Sequence, residues 1–421
     1  MRVLASRPAE RRLETLPVVA PSSNPAETST PNRILHVFRA PVGGLFRHVA
    51  DLARLQAAAG HPVGIVCDSN TGGERAEQAL ADLAPSLRLG VTRLPMRRNP
   101  HLSDLAALRA VARRAEAVGA TILHGHGAKG GVYARLAPVY GARVIRAYTP
   151  HGGSYNYRPG TMLHRLYMGI EGLLARRTDV FLFESEYVAG RHRSYVGSTG
   201  GLRRIVHNGI SEAEFEPLAR AADPFDLLYV GELREAKGLP FLLDALARLR
   251  AAGRPVRLLM VGSGPDAEIL KAKAAALGLS EAVAFEPAQA IRPVLARGRI
   301  MVVPSLAESL PYVVLEAAAA AQPLVATNVG GIPEIFGTAA SELVRPSDPQ
   351  ALTSAIARVL DEDPEICRAR FTALSASVKQ RFSMHRMGSD VLSGYAAALR
   401  ALPQVAQARL EPARAGIAES V

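Results

Sequence analysis

The run Asp226-Leu227-Leu228-Tyr229-Val230-Gly231, continued by Glu232-Leu233-Arg234-Glu235-Ala236-Lys237-Gly238, decides the fold. A short apolar burst closing on glycine reads as a strand covered on both faces, and the helical pattern after Gly238 completes a strand–loop–helix unit. Its position matters more than its composition: near the middle of 421 residues it starts a strand–helix alternation afresh. Working back from it, apolar bursts at 33–38, 63–67, 121–124, 144–148 and 180–184 read as strands, with helical patterns at 45–59, 102–117 and 162–176 between them. Working forward, 256–261, 282–285, 300–303, 324–326 and 342–344 read as strands separated by helices. Alternation of this kind predicts a parallel sheet with helices on both faces, and its renewal predicts two. The expected fold class is α/β: two Rossmann-like doubly wound parallel-sheet domains facing across a cleft.

The expected boundaries are a disordered leader over 1–31, a first domain over 32–205, a second over 206–385, a helix over 386–400 and a flexible tail over 401–421. The leader is rich in Pro, Ser, Thr and Ala and has no apolar segment of the kind a secretory signal needs. No run of about 18 uncharged apolar residues exists, which excludes a spanning helix. Cys67 and Cys367 are the only cysteines, too few for a disulfide scaffold or a Cys-rich metal site, and a cytoplasmic setting is expected. With no Trp and 5% aromatics, the chain lacks the basic–aromatic interleaving that stacks nucleic acid, so no nucleic-acid partner is expected.

Charge is divided unevenly. Up to Ile205 there are 28 Lys/Arg against 14 Asp/Glu, and beyond it 22 against 24, so the net +12 comes from the first half. Such an excess suits an anionic membrane surface, an acidic substrate, or merely solvated helix faces in an Arg-rich chain. The segment 162–177 carries an apolar stripe with basic ends. It suits either a membrane surface or packing against the sheet.

In open parallel sheets the ligand sits at the carboxyl ends of the strands, where helix N-termini follow. Several candidate residues fall on those rims. Gly43 and Gly44 precede a helix and would let an anion approach backbone amides. Arg234 and Lys237, three apart after a strand, would converge on one phosphate. Gly262 and Gly264, with Glu286 about 22 residues on, make a loose dinucleotide fingerprint and supply the alternative of an NAD(P)-dependent oxidoreductase. Glu308 and Glu316 are the sharpest pair: one on a loop, the other inside an apolar helix, suited to accepting hydrogen bonds from diols. His126 and His151 stand in glycine turns just after strands and are candidates for hydrogen-bonding or acid–base work, or for a plain capping role. Their spacing offers no zinc site.

Taken in order, Lys237-Gly238, His207-Asn208-Gly209, Glu308/Glu316 and Gly330-Gly331-Ile332-Pro333-Glu334 resemble the retaining glycosyltransferases of family 4, over about residues 33–399. The resemblance implies the GT-B fold, with the C-terminal helix crossing back to the first domain. It also implies a donor, a UDP- or GDP-sugar, bound by the second domain. Glu316 would then hold the ribose, and Glu308 with Ser309 and Leu310 the sugar. Lys237 would hold the diphosphate, helped by Gly43 and Gly44, while Phe285, Gly262 and Gly264 flank the nucleoside. His151, assisted by His126, would stand beside the acceptor. The implied catalytic set is His151, Glu308 and Lys237, with no cofactor and no metal. The implied acceptor is a lipid-linked sugar or growing polysaccharide of the cell envelope, reached from the cytoplasmic face of the inner membrane. Two positions depart from the family: Glu232 stands where an Arg is usual, with Arg234 offered as the replacement cation, and Pro287 stands where Gly is common. A sugar-nucleotide epimerase and a non-catalytic sugar-nucleotide-binding protein share the layout and remain alternatives.

Overall fold

The structure is a computed structural model that describes residues 30–141, 143–198 and 200–402. The expected leader, up to residue 29, and the expected tail, from residue 403, lie outside the described residues.

Seven strands form the first sheet: β1 (Ile34–Val37), β2 (Val63–Asp68), β3 (Val91–Leu94), β4 (Ile122–His126), β5 (Ile145–Thr149), β6 (Val180–Phe183) and β7 (Leu202–Ile205). Their order is 3-2-1-4-5-6-7 and every pairing is parallel. The second sheet holds β8 (Phe225–Val230), β9 (Leu258–Val261), β10 (Val283–Glu286), β11 (Gly298–Val303) and β12 (Leu324–Ala326), in the order 10-9-8-11-12, again all parallel. The central strands β1, β2, β4 and β9 are buried along their whole length, which is why they read as apolar bursts, with histidines interrupting β1 and β4. Strand order reverses between β1 and β4 in one sheet and between β8 and β11 in the other, and each reversal leaves a crevice at the carboxyl edge.

Three elements differ from the sequence reading. β3 and β7 carry no apolar burst because they lie at sheet edges. In β7, Leu202, Arg203 and Arg204 are exposed, as suits a charged edge that resists further pairing. Residues 342–344, expected as a strand, contribute only a single parallel bridge between Val344 and Thr327, because a 3-10 turn, Gly337–Glu342, occupies the chain before it.

The chain passes between the lobes twice, side by side. Ile210 N donates to Phe382 O at 2.7 Å and Met384 N donates to Ile210 O at 3.1 Å. A side chain at Gly209 would put its Cβ 2.6 Å from Met384 Cα, so the two crossings abut there. Ser383 Oγ caps the helix Met384–Arg400, which buries Met387, Val391, Tyr395 and Ala398 against Ile34, Ile122, Ile145 and Val180 of the first sheet. Among the described residues no helix is long and apolar enough to cross a membrane.

Candidate functional site

The loops after β8 and β11 meet at the second sheet's reversal point. Lys237 Nζ donates to Glu308 Oε1 at 2.6 Å, and Ser305 Oγ donates to the same oxygen at 2.7 Å. Glycines set how closely these loops approach. A Cβ on Gly238, at φ +64°, would lie 2.0 Å from Pro304 O, and one on Gly330, at φ +60°, would lie 2.0 Å from Glu308 O. Gly331 N donates to Ser309 O at 2.7 Å, so the glycine pair forms the floor beneath Glu308, Ser309 and Leu310.

Arg234 and Lys237, expected to converge on one phosphate, are each paired with a carboxylate. Arg234 Nε lies 2.8 Å from Glu232 Oε2, with both side chains about half exposed, while Lys237 turns to Glu308. Gly262 and Gly264 serve packing: side chains there would strike Gly231 O and Leu233 O. Glu286 is held by both guanidinium nitrogens of Arg297, at 2.6 and 2.7 Å, which leaves the dinucleotide reading without its free acid. Phe285 is half-buried against the second core.

Facing this rim, the first lobe contributes the helix Gly43–Ala58. Gly43, at φ +67°, has open space where a side chain would stand, and a Cβ on Gly44 would come within 3.3 Å of the Tyr312 ring in the other lobe. One turn on, Arg47 donates through Nη1 to Glu316 and through Nη2 to both oxygens of Glu214, at 2.6 and 2.7 Å. Its guanidinium lies 4.5 Å from the centroid of the Tyr312 ring. Burial in the helix Tyr312–Ala319 raises the Glu316 carboxyl to about 7, and Arg47 opposes that rise. Two further contacts join the lobes. Asn208 Oδ1 accepts from His48 Nδ1 at 3.0 Å, and Asn208 Nδ2 donates to Leu310 O at 2.8 Å. The Glu334 carboxylate accepts from Glu186 N and Tyr187 N, each at 2.9 Å, at the start of the helix Glu186–Tyr195.

Behind the first sheet's rim lie five imidazoles. His36, His48, His124 and His126 are buried, and His151 is half-buried at the cleft. His151 has φ +51°, a costly conformation for a residue with a side chain, held by the buried Glu184, whose Oε1 accepts from Gly152 N at 2.6 Å. Ser309 of the second lobe abuts this turn, since a Cβ on Gly152 would lie 3.2 Å from its Cβ. Burial holds all five imidazoles below the usual range, His36 and His48 at about 4. Burial likewise pushes the Glu184 carboxyl up to about 7. Nitrogens of His36, His124 and His126, and of His48, His126 and His151, each gather within 4.8 Å. Both nitrogens of His36, His124 and His126 already have hydrogen-bond partners: His126 bonds His36 and His151, His36 also bonds Gln56, and His124 bonds Tyr395 and Thr149.

The structure thus brings Lys237, Glu308, Ser309 and Leu310 together on one wall, with Glu316 and Tyr312 opposite the Gly43-Gly44 turn, and His126 with His151 at the first sheet's edge. Arg234 is paired with Glu232. Sequence reasoning passed over Arg47, His36, His48, Gln56 and Tyr395. Arg47 carried a signal, since it lies three residues after Gly44 on the same helix face. His36 carried another, as a polar residue inside the apolar strand β1.

Two sheets with facing carboxyl edges, joined by a double crossing, define the GT-B fold. Comparison with known proteins places the chain within that class. Residues 224–362 match the model of the glycosyl transferases group 1, and residues 42–214 match that of glycosyltransferase family 4. The chain belongs to the family 4 glycosyltransferases. It is 32% identical over 247 residues to the D-inositol 3-phosphate glycosyltransferase of Segniliparus rotundus, a match spanning 55% of each chain. It is 27% identical to a glycogen synthase of Mycobacterium tuberculosis, over 85% of this chain and 92% of that one. Its fold superposes on Anabaena Alr3699/HepE, solved with UDP-glucose, with a TM-score of 0.72 at 18% identity, over 87% of this chain and 99% of that one.

Proposed function

We propose that the protein is a retaining glycosyltransferase that moves a hexose-type sugar from a UDP- or GDP-sugar to a hydroxyl of a lipid-linked sugar or growing polysaccharide in cell-envelope or exopolysaccharide assembly. One observation carries this reading: the Lys237–Glu308 pair sits at the second sheet's reversal point, with Glu316 and the Gly43-Gly44 turn facing each other beside it. Donor binding exchanges partners. Lys237 turns from Glu308 to the diphosphate, and Glu308 accepts from the sugar's hydroxyls. Glu316 exchanges Arg47 for the ribose hydroxyls, and the freed Arg47 becomes the second cation that Arg234, tied to Glu232, does not supply. Cations and helix-start amides then stabilise charge developing on the leaving diphosphate, with no resident metal required. The bond from the sugar's anomeric carbon to the diphosphate oxygen breaks. A bond to the acceptor oxygen forms on the same face, and the acceptor's proton passes to the departing phosphate.

A nucleotide-sugar donor is supported by the fold neighbour solved with UDP-glucose, and a saccharide acceptor by the relative named as a glycogen synthase. Peripheral membrane contact is supported by the helix Met162–Ala175, which exposes Met162, Leu163, Leu166 and Leu173 with Arg165 beside them.

A thermal-shift screen against UDP- and GDP-sugars tests the donor, since a ligand held only by the folded state raises stability by about 2.7 kcal/mol at a hundred times its Kd. Lys237→Ala should abolish the shift. Product analysed by NMR should keep the donor's anomeric configuration and form in the presence of a chelator. An inverted product, or activity lost to the chelator, overturns the mechanism.

A further inference from the structure

Hydrogen bonds among the buried imidazoles run as one chain. His151 Nε2 meets His126 Nδ1 at 3.1 Å, His126 Nε2 meets His36 Nδ1 at 2.9 Å, and His36 Nε2 meets Gln56 Oε1 at 2.8 Å. Gln56 Nε2 then meets Tyr395 OH at 3.3 Å. Beyond it Tyr395 OH meets His124 Nδ1 at 2.7 Å, and His124 Nε2 meets Thr149 Oγ1 at 2.8 Å. A neutral imidazole has one N–H and one lone pair, so each link sets a donor against an acceptor and fixing one link fixes all. Two arrangements satisfy the whole chain. They differ in which way the Gln56 amide faces and in which nitrogen of His151 carries the proton.

The distances at Tyr395 separate the two. An O–H donor prefers about 2.7–2.8 Å, whereas an N–H donor to oxygen prefers about 2.9–3.0 Å. The 2.7 Å contact therefore suits Tyr395 O–H donating to His124 Nδ1, and the 3.3 Å contact is far too long for that hydroxyl to donate to Gln56 instead. Gln56 accordingly turns its NH2 to Tyr395 and its carbonyl to His36. It follows that His36, His126 and His151 each carry the proton on Nε2. We infer that His36, Gln56 and Tyr395 are positioning residues: they hold His151 with Nδ1 bare, so the cleft meets an imidazole that only accepts a hydrogen bond. Such a wall fits a hydroxyl of a neutral polyol and mismatches a phosphate or carboxylate oxygen.

A second observation points the same way. Asn208 Nδ2 must donate to the Leu310 carbonyl, so its Oδ1 accepts from His48 Nδ1–H. That leaves His48 Nε2 bare, and it is enclosed without a partner, in a ring that groups with those of His126 and His151. A second lone pair thus lies buried beside His151, and it too belongs to a nitrogen that offers no proton. The ligand class rests on the sugar-transfer reading; the proton positions do not.

The test is a two-bond proton–nitrogen NMR spectrum of the full chain labelled with 15N-histidine, which distinguishes Nδ1–H from Nε2–H in each ring. The expected result is Nε2–H at His36, His124, His126 and His151, with Nδ1–H at His48. Nδ1–H at His151 overturns the inference. Tyr395→Phe releases Gln56, so the alternative tautomer should appear at His36, His126 and His151 together. Val391→Ala, on the same helix but away from the chain, should leave them unchanged. Equal spectra for the two variants overturn the positioning role, and if Tyr395→Phe fails to fold the wild-type spectrum still decides. Methyl glucoside with UDP should shift the His151 Nδ1 resonance, whereas inorganic phosphate should not. A shift with phosphate overturns the acceptor-only wall. No shift with the sugar overturns the ligand class while the tautomers stand.

Discussion

Arg47 and Glu316 are joined across 269 positions of sequence, and their partnership decides how one side chain titrates. Burial raises the Glu316 carboxyl to about 7, Glu214 and Asp51 add to the rise, and Arg47 is the cation opposing it. For a carboxyl raised in this way the ionised form appears only as pH climbs through about 7. The proposed ribose contact needs that ionised form, so nucleotide affinity should rise between about pH 6 and 8 and fade below. Arg47→Ala leaves burial and two neighbouring carboxylates unopposed. The midpoint should then move upward, and affinity at pH 7 should fall, about fivefold for a tenfold weaker acid, since a carboxyl half ionised at pH 7 drops to about one part in eleven. Titration calorimetry with a UDP-sugar across pH checks this. An unmoved midpoint would mean that Glu316 is not the group the nucleotide reads.

The helix Met162–Ala175 shows what an apolar period conveys and what it omits. The sequence places Met162, Leu166 and Leu173 on one face, and the structure turns that face outward. Inward it turns Glu171, which accepts from Arg135 Nη1 at 2.8 Å, Ser154 Oγ at 2.7 Å and Tyr148 OH at 3.2 Å, with Arg135 fully buried. A period says which residues share a face, but the partner on another element says which face is inside. The same limit explains the rest of the site. Lys237 and Glu308 were legible because each follows a strand end, Lys237 just before Gly238 and Glu308 eight positions before a second carboxylate in an apolar helix. Gln56 and Tyr395, 339 positions apart, were not, since nothing local in either segment points to the other. Strands buried on both faces announced themselves, and the edge strands β3 and β7 did not. The buried pair gives a sharp expectation for this element. Glu171→Ala leaves an uncompensated guanidinium and should cost about 3–5 kcal/mol. Leu166→Glu, on the outward face, should stay within about 0.5 kcal/mol. Thermal or urea unfolding of the two variants decides, and equal losses would mean the helix is not anchored through Glu171.

At the scale of the whole molecule, the cleft exists only as long as the lobes keep their relation, and few groups hold it. The double crossing at 206–210 and 382–384 is a hinge rather than a clamp, because both segments lie side by side. The clamps are side chains: Arg47 on Glu316, Asn208 between His48 and Leu310, Arg75 Nη1 on Ala288 O at 3.1 Å, and Glu334 on the helix Glu186–Tyr195. Glu334 is the strongest by its setting. Its carboxylate accepts from two amides at a helix start, where the macrodipole favours negative charge, and it lies 3.1 Å from His207 Nε2 in the hinge itself. A charge-assisted hydrogen bond of this kind is worth about 1.5–3 kcal/mol, comparable with the free energy that separates open from closed forms of many two-lobed proteins. Removing it should therefore shift the lobes' equilibrium without unfolding either sheet, whose cores it does not enter. Glu334→Ala should leave the circular-dichroism spectrum unchanged, enlarge the radius of gyration seen by X-ray scattering, and weaken UDP-sugar binding about tenfold. Glu334→Gln, which keeps an acceptor oxygen but not the charge, should fall between. Because the proposed donor site draws on both walls, saturating nucleotide should restore the compact scattering profile in Glu334→Ala. If the profile is compact without nucleotide, the lobes are held by the remaining contacts, and Glu334 serves only to cap its helix.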